Sequence, residues 1–269
     1  MTYHAFKTAE KDGWGARASG YNASTGLVTT GAIPTLLAMA EAVPGRRVLD
    51  LCCGTGRAAG AAAALGAEAE GIDISEGMVT TAQAAFPGVP FAVGDAEAIP
   101  RPGGAYDAVI CSFGVMHASD PAAMFAEMAR VLRPGGRVAL SHWVGPPASP
   151  LFRIVFGTMR EHADMSLVPP SPPPFALSSV EAMGDALEAA GFESVMAAEL
   201  PLVFEAPEGA FAARFRQFAV RAAVILDAQP KPVLDEIETA WEAQMAAFLS
   251  DGVYRIPMPA LAFSATRRG

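Results

Sequence analysis

Cysteine is scarce in this chain: Cys52, Cys53 and Cys111 are the only three among 269 residues. So few thiols cannot build the disulfide framework of a small secreted domain, and no Cys/His group has the spacing of a zinc site. Cys52 and Cys53 are sequence neighbours in a strand-to-turn segment, a poor geometry for bridging each other. All three read best as small buried hydrophobes, so neither metal nor covalent catalysis by Cys53 is expected. Charge is sparse as well, at 17% of residues, and lysine is rare. Basic runs are missing: 19 Lys and Arg against 28 Asp and Glu leave a formal net charge of −9. A protein that grips nucleic acid through its phosphates needs the opposite balance, so nucleic acid is not expected as a direct partner. No run of about 18 apolar residues is available to span a bilayer, and the first residues, up to Trp14, hold no apolar signal core. A cytoplasmic protein without a membrane span is expected.

What is present is apolar, at 52% of residues, enough to bury a full core and to argue against disorder. Residues 1–44 read as a polar, glycine-containing lead followed by an apolar helical segment, Ile33 to Ala42, that ends at Pro44-Gly45. From there strand and helix alternate. Arg47 to Leu51, Ala69 to Ile74, Pro90 to Val93, Tyr106 to Ser112 and Arg137 to Trp143 have strand character. Arg57 to Leu65, Gly77 to Phe86 and the segment after Asp120-Pro121 have helical character, and Arg133-Pro134-Gly135-Gly136 reads as a turn. Alternation at these intervals predicts a parallel sheet with right-handed crossovers.

Beyond residue 145 the pattern loosens. Gly145 to Pro174 is proline-rich and reads as a rigid surface connection or a lid. Ser178 and Glu181 form a capping-box pattern ahead of a helix that Gly191 stops. Val195 to Phe204 and Arg255 to Thr266 read as two further strands. Between them lie two amphipathic helices, one carrying Phe211, Phe215 and Phe218, the other Ile237, Trp241 and Met245. Their apolar faces either pack on each other or form a cap over the site.

Val48 to Gly56, VLDLCCGTG, places a strand, a glycine turn and a helix start in immediate succession. Gly54 and Gly56 let the backbone pass close to a ligand, and the helix start offers unpaired N–H groups. Asp73, in GIDIS at the end of the second strand, is an acceptor-only side chain placed to take both hydrogen bonds of a ribose diol. Asp95, in VGDAEAIP after the third strand, is placed to accept from an adenine amino group.

These motifs, with YDAVICSFGVMH and EMARVLRPGGRVALSHW, resemble in order and spacing the class I methyltransferases, most of all the branch containing the ubiquinone-biosynthesis and small-molecule enzymes. The resemblance covers residues 45 to 145. It implies a single α/β domain over residues 1–269: a Rossmann-like, doubly wound, seven-stranded sheet of order 3-2-1-4-5-7-6 with its last strand antiparallel. Residues 1–44 would form an N-terminal helical lid, 45–145 the cofactor-binding core, 146–206 and 252–269 the rest of the sheet, and 207–251 a helical cap. The implied cofactor is S-adenosylmethionine, converted to S-adenosylhomocysteine as a small-molecule acceptor is methylated on oxygen, nitrogen or carbon. That acceptor would be a secondary metabolite or a quinone-like compound.

The same resemblance assigns residues. Gly54 and Gly56, with Cys53 in the same turn, flank the methionine part, and Asp50 orients the loop or the cofactor's ammonium group. Asp73 holds the ribose, Ile74 and Met78 lie beside the adenine, and Asp95 and Ala96 read its edge. Ser112 lies under the methionine moiety, with His117 nearby, and Tyr21 covers the cofactor. Cys52 stands where the family's pattern begins with glycine. His142 and His117, both near strand ends, are the candidate general bases, with His142 preferred for acceptor contact. Two rival readings stay open: a protein of this fold that binds the cofactor for cyclisation or regulation without transfer, and a NAD-dependent oxidoreductase.

Overall fold

The computed structural model describes residues 3–269; Met1 and Thr2, at the start of the expected lid, lie outside the described residues. Helices α1 (His4–Arg17), α2 (Thr25–Thr29) and α3 (Ile33–Met39) come first. The alternating part follows as β1 (Arg47–Leu51), α4 (Arg57–Ala64), β2 (Glu68–Asp73), α5 (Glu76–Ala85), β3 (Phe91–Val93), β4 (Tyr106–Ser112), α6 (Pro121–Val131) and β5 (Leu132–Trp143). The rest of the chain runs α7 (Pro150–His162), α8 (Val180–Ala189), β6 (Phe192–Leu200), β7 (Val203–Pro207) and α9 (Phe211–Phe218). It closes with α10 (Val220–Asp227), α11 (Lys231–Met245), β8 (Leu249–Ser250), β9 (Val253–Pro257) and β10 (Ala260–Arg267).

Seven strands pair in the order β3-β2-β1-β4-β5-β10-β6. With β10 as its seventh strand this is the expected 3-2-1-4-5-7-6 sheet. β10 runs antiparallel to both neighbours, Phe263 pairing with Leu140 of β5 and with Ala197 of β6. β1 lies between β2 and β4 and is parallel to both, so the strand order reverses beside it. Val48, Leu49 and Leu51 are fully buried because helices cover both faces of the sheet. Polar caps fix where those helices begin. Asp120 accepts the Ala123 N–H at 3.1 Å ahead of Pro121, and the Ser75 hydroxyl accepts the Met78 N–H at 3.3 Å.

Several sequence expectations need correction. The cap of α8 is Ser179, whose hydroxyl accepts the Ala182 N–H, while Ser178 belongs to the preceding turn and donates its hydroxyl to the Phe175 carbonyl. The expected strand Val195 to Phe204 is two strands, β6 and β7, parted at Pro201, which has no N–H to give a ladder. Arg255 to Thr266 divides in the same way into β9 and β10 around Pro257 and Pro259. The outer pieces leave the main sheet and form a second one of order β7-β9-β8, with Phe204 paired to Ile256.

The segment between β7 and β9 carries three helices where two are expected. Ala219 is extended (φ −123°, ψ 107°) and parts α9 from α10. The Thr25 hydroxyl donates to the Phe218 carbonyl freed at that break, at 3.0 Å. α9 and α11 pack on each other, with the Phe211 and Trp241 rings edge to face at 5.7 Å. The proline-rich connection also contains a helix, α7, capped by Ser149 and started by Pro150. Leu151, Phe152, Val155 and Met159 are its buried stripe. α1 lies within the lead read as polar and packs against α5 and α10.

Candidate functional site

The carboxyl ends of the parallel strands open into one cavity. Gly54 after β1, Asp73 ending β2, Asp95 after β3, Ser112 ending β4 and Trp143 ending β5 all line it. This is the crevice beside the strand-order reversal, where open α/β sheets bind ligands. Residues of α1, of the α9–α10 junction, of α7 and of the loop 171–175 complete its lining.

The glycine turn divides its labour. Gly54 (φ 53°) lines the cavity, where a side chain would intrude on a ligand. Gly56 (φ 80°) does not; a Cβ there would stand 2.6 Å from the Phe91 ring and 2.9 Å from Ala82. Its place is set by helix-to-sheet packing and by its left-handed backbone, which corrects the expectation of ligand approach. Cys52, also left-handed at φ 57°, occupies a conformation that favours glycine and reaches the cavity. Cys53 is buried behind the turn, outside the cavity lining, and burial pushes its thiol well above the ordinary range. It is a packing residue.

Asp50 is 1% exposed and is likewise absent from the lining; its carboxylate accepts the Ala59 N–H at 2.9 Å and so ties β1 to the first turn of α4. That hydrogen bond spans the glycine turn between them. Burial raises its pKa to about 7, against the lowering effect of the Ala59 N–H. A carboxyl raised in this way contributes stability below its unfolded pKa that is lost as pH climbs toward 7. The protein is therefore expected to lose about 1–3 kcal/mol from this group between pH 4 and pH 8. Chemical denaturation of wild type and Asp50→Asn at both pH values checks this. The Asn variant should lack that part of the fall, and parallel pH profiles would contradict the assignment.

Asp73 is 9% exposed, and each carboxylate oxygen already takes one backbone N–H. Gly54 donates to one at 2.9 Å and Ser75 to the other at 2.9 Å. Each oxygen keeps a lone pair toward the cavity for a further donor. Burial raises the pKa of Asp73, and the two N–H groups and nearby His117 oppose the rise. Ile74, Met78 and Ala96 line the same end of the cavity. Asp95 does so as well, and it forms an ion pair with Lys7 of α1 at 2.5 Å; Lys7 also reaches Glu97 at 2.8 Å. The first helix is thereby pinned across the mouth at that end.

Tyr21 lines the cavity next to Gly54, its Cζ 4.0 Å from where a Cβ of Gly54 would lie. It is held there because Asn22 accepts from both the Thr55 hydroxyl and the Arg57 Nε at 2.8 Å. One turn of α1 supplies a group that sequence reasoning missed. Glu10 is 4% exposed, and its Oε2 accepts from Trp14 Nε1 at 3.1 Å and lies 2.7 Å from His117 Nδ1. A carboxylate accepts, so this contact suits an imidazole that carries its proton on Nδ1 and turns Nε2 elsewhere. The signal was present as a stripe, Phe6, Glu10 and Trp14 at four-residue spacing, interrupted by a charge.

His142 is elsewhere. It is 2% exposed, does not line the cavity, and its Nδ1 lies 2.9 Å from the Trp143 carbonyl. Burial lowers its pKa to about 4. Side chains alternate along a strand, and it is the next residue, Trp143, that faces the cavity. The preferred role for His142 in acceptor contact is corrected on this ground. Trp143 stacks on Phe113 with centroids 3.8 Å apart, and Phe152, Phe156, Phe175 and Phe218 extend this aromatic half of the cavity. The Ser141 hydroxyl accepts the Phe113 N–H at 3.1 Å and holds the turn after β4 in place. No group of three or more His, Cys, Asp or Glu among the described residues is arranged to hold a metal. No described helix is long and apolar enough to cross a membrane.

Sheet order, glycine turn and the acidic residues closing β2 and following β3 define a class I methyltransferase fold. Residues 48–136 match the methyltransferase domain family. Demethylmenaquinone methyltransferase of Beutenbergia cavernae is 40% identical over 114 residues, which are 42% of this chain and 47% of that one. The chain spans about half the length of the curated relatives it matches. Among solved structures, the YcgJ protein of Bacillus subtilis superposes with a TM-score of 0.61 at 22% identity, covering 88% of this chain and 98% of that one. The [4+2]-cyclase SpnF superposes with a TM-score of 0.53 at 22% identity, covering 88% and 81%. These structural likenesses establish the fold.

Proposed function

We propose that this protein transfers the methyl group of S-adenosylmethionine to the oxygen or an activated ring carbon of a small aromatic, quinone-like acceptor. The observation that carries the reading is Asp73, a buried carboxylate at the end of β2 with one open lone pair on each oxygen beside the Gly54 turn. That arrangement suits a ribose diol. Ile74, Met78 and Ala96 would flank the adenine, with Asp95 at its amino edge once Lys7 yields or shares it. Gly54, Ser112 and Tyr21 would enclose the methionine part. Bound there, S-adenosylmethionine supplies a sulfonium-activated methyl whose in-line displacement leaves a neutral thioether.

The chain's own work is alignment, exclusion of water and removal of a proton. The aromatic half of the cavity would hold a flat acceptor ring, and the demethylmenaquinone methyltransferase relatives support a quinone-like one. His117, its tautomer held by Glu10, would take the acceptor's proton at Nε2. A cyclase shares the fold, but a carboxylate-oriented imidazole in the cavity favours a reaction that must move a proton. Calorimetric titration tests the cofactor assignment. S-adenosylhomocysteine should bind one site per chain in the micromolar range, and NAD should give no heat. The reverse ranking would move the protein to the oxidoreductases.

A further inference from the structure

Among the described residues, Arg221 carries a buried guanidinium nitrogen that has no hydrogen-bond partner. Arg221, in the first turn of α10, lines the aromatic half of the cavity. Its Nη2 donates to the Pro169 carbonyl at 2.8 Å. Its Nη1 is buried and has no hydrogen-bond partner. The carboxylate whose charge acts on it is Glu10, already committed to Trp14 and His117. Burial pushes the guanidinium below its ordinary value, yet arginine stays charged in a protein. A half-buried guanidinium with a bare N–H costs free energy that an incoming anion would recover. The Pro169 carbonyl fixes the plane of the fork and belongs to the same segment that brings Phe175 to the cavity, against Phe152 and Phe156.

We propose that Arg221 anchors an anionic group on the acceptor, so that the acceptor is a flat aromatic ring bearing a carboxylate or a phosphate. The inference rests on the reading of this cavity as an acceptor site and narrows it. The aromatic wall takes the ring, and the guanidinium takes the acid on it. A planar guanidinium with one N–H already held presents the other in a fixed direction, which orients the ring as well as attracting it. Arg221 is a specificity-determining residue in this account, and proton removal stays with His117.

The test uses the full chain saturated with S-adenosylhomocysteine and matched neutral and anionic probes. These are benzamide, benzoate and phenyl phosphate, and 2-naphthamide, 2-naphthoate and 2-naphthyl phosphate, each titrated by calorimetry. At least one anion should bind tenfold or more tightly than its amide, and the carboxylate and phosphate arms say which acid the anchor takes. In Arg221→Gln that preference should fall to within twofold while the S-adenosylhomocysteine affinity holds. Arg221→Met serves as a second variant if the first does not fold. A wild type in which no anion outbinds its amide, including one that binds no probe, overturns the anchor. So does a preference that survives in a folded variant. If the anions are preferred but S-adenosylhomocysteine does not bind, the methyl-transfer reading fails and the anchor stands. If S-adenosylhomocysteine binds and the preference is absent, the anchor alone fails.

Discussion

Replacing Asp73 by Ala is expected to weaken S-adenosylhomocysteine binding by roughly ten- to hundredfold, the loss of two charge-assisted hydrogen bonds. The substitution also strips the Gly54 and Ser75 N–H groups of their acceptor. Part of the loss would therefore come from a loosened turn. Asp73→Asn separates the two effects in part. It keeps the shape but only one acceptor oxygen, so it can hold one of the two N–H groups and turns a donor toward the other; it should recover part of the turn while remaining weakened toward the ribose. Calorimetry on both variants, with circular dichroism as the check of folding, reads the outcome. Unchanged affinity in a folded Ala variant would remove Asp73 from the cofactor site.

His117→Ala is expected to lower turnover by about 10²–10⁴ while leaving S-adenosylhomocysteine affinity within a few fold. The reason is geometric. Glu10 faces Nδ1 across 2.7 Å, and the imidazole lines the cavity that Asp73 and the aromatic residues share. Glu10→Gln should cost less, about tenfold, because it disturbs the tautomer without removing the ring. Added imidazole distinguishes a base from a prop. It should restore part of the rate in His117→Ala, as it would not if the side chain merely supported Trp14, whose ring it meets edge on at 5.2 Å. Full turnover in the folded variant would contradict the assignment.

The alternating half of the fold was legible because its strands are short apolar runs bracketed by glycine and proline, with capped helices between them. Those signals are local. The second half misled for a local reason too: Pro201, Pro257 and Pro259 sit inside stretches that otherwise read as continuous strand, and each pair of strands serves two different sheets. Asp73, Asp95 and Gly54 were readable because a strand end places them. Glu10 was not, since its meaning lies in a partner 107 residues away. His142 failed on the parity of β5. Trp143 faces the cavity, so the residue before it belongs to the other face, and no motif records which of two adjacent residues that will be.

Incubating the protein with S-adenosylmethionine carrying a ¹³C-methyl group and a deproteinised extract of small aromatic metabolites tests the central claim directly. Mass spectrometry should find S-adenosylhomocysteine and a ¹³C-labelled small molecule formed in equal amounts, with both falling in parallel in Asp73→Ala when S-adenosylmethionine is below saturation. Tight binding of S-adenosylhomocysteine with no label reaching any small molecule would contradict methyl transfer and leave a protein that uses this fold for another reaction.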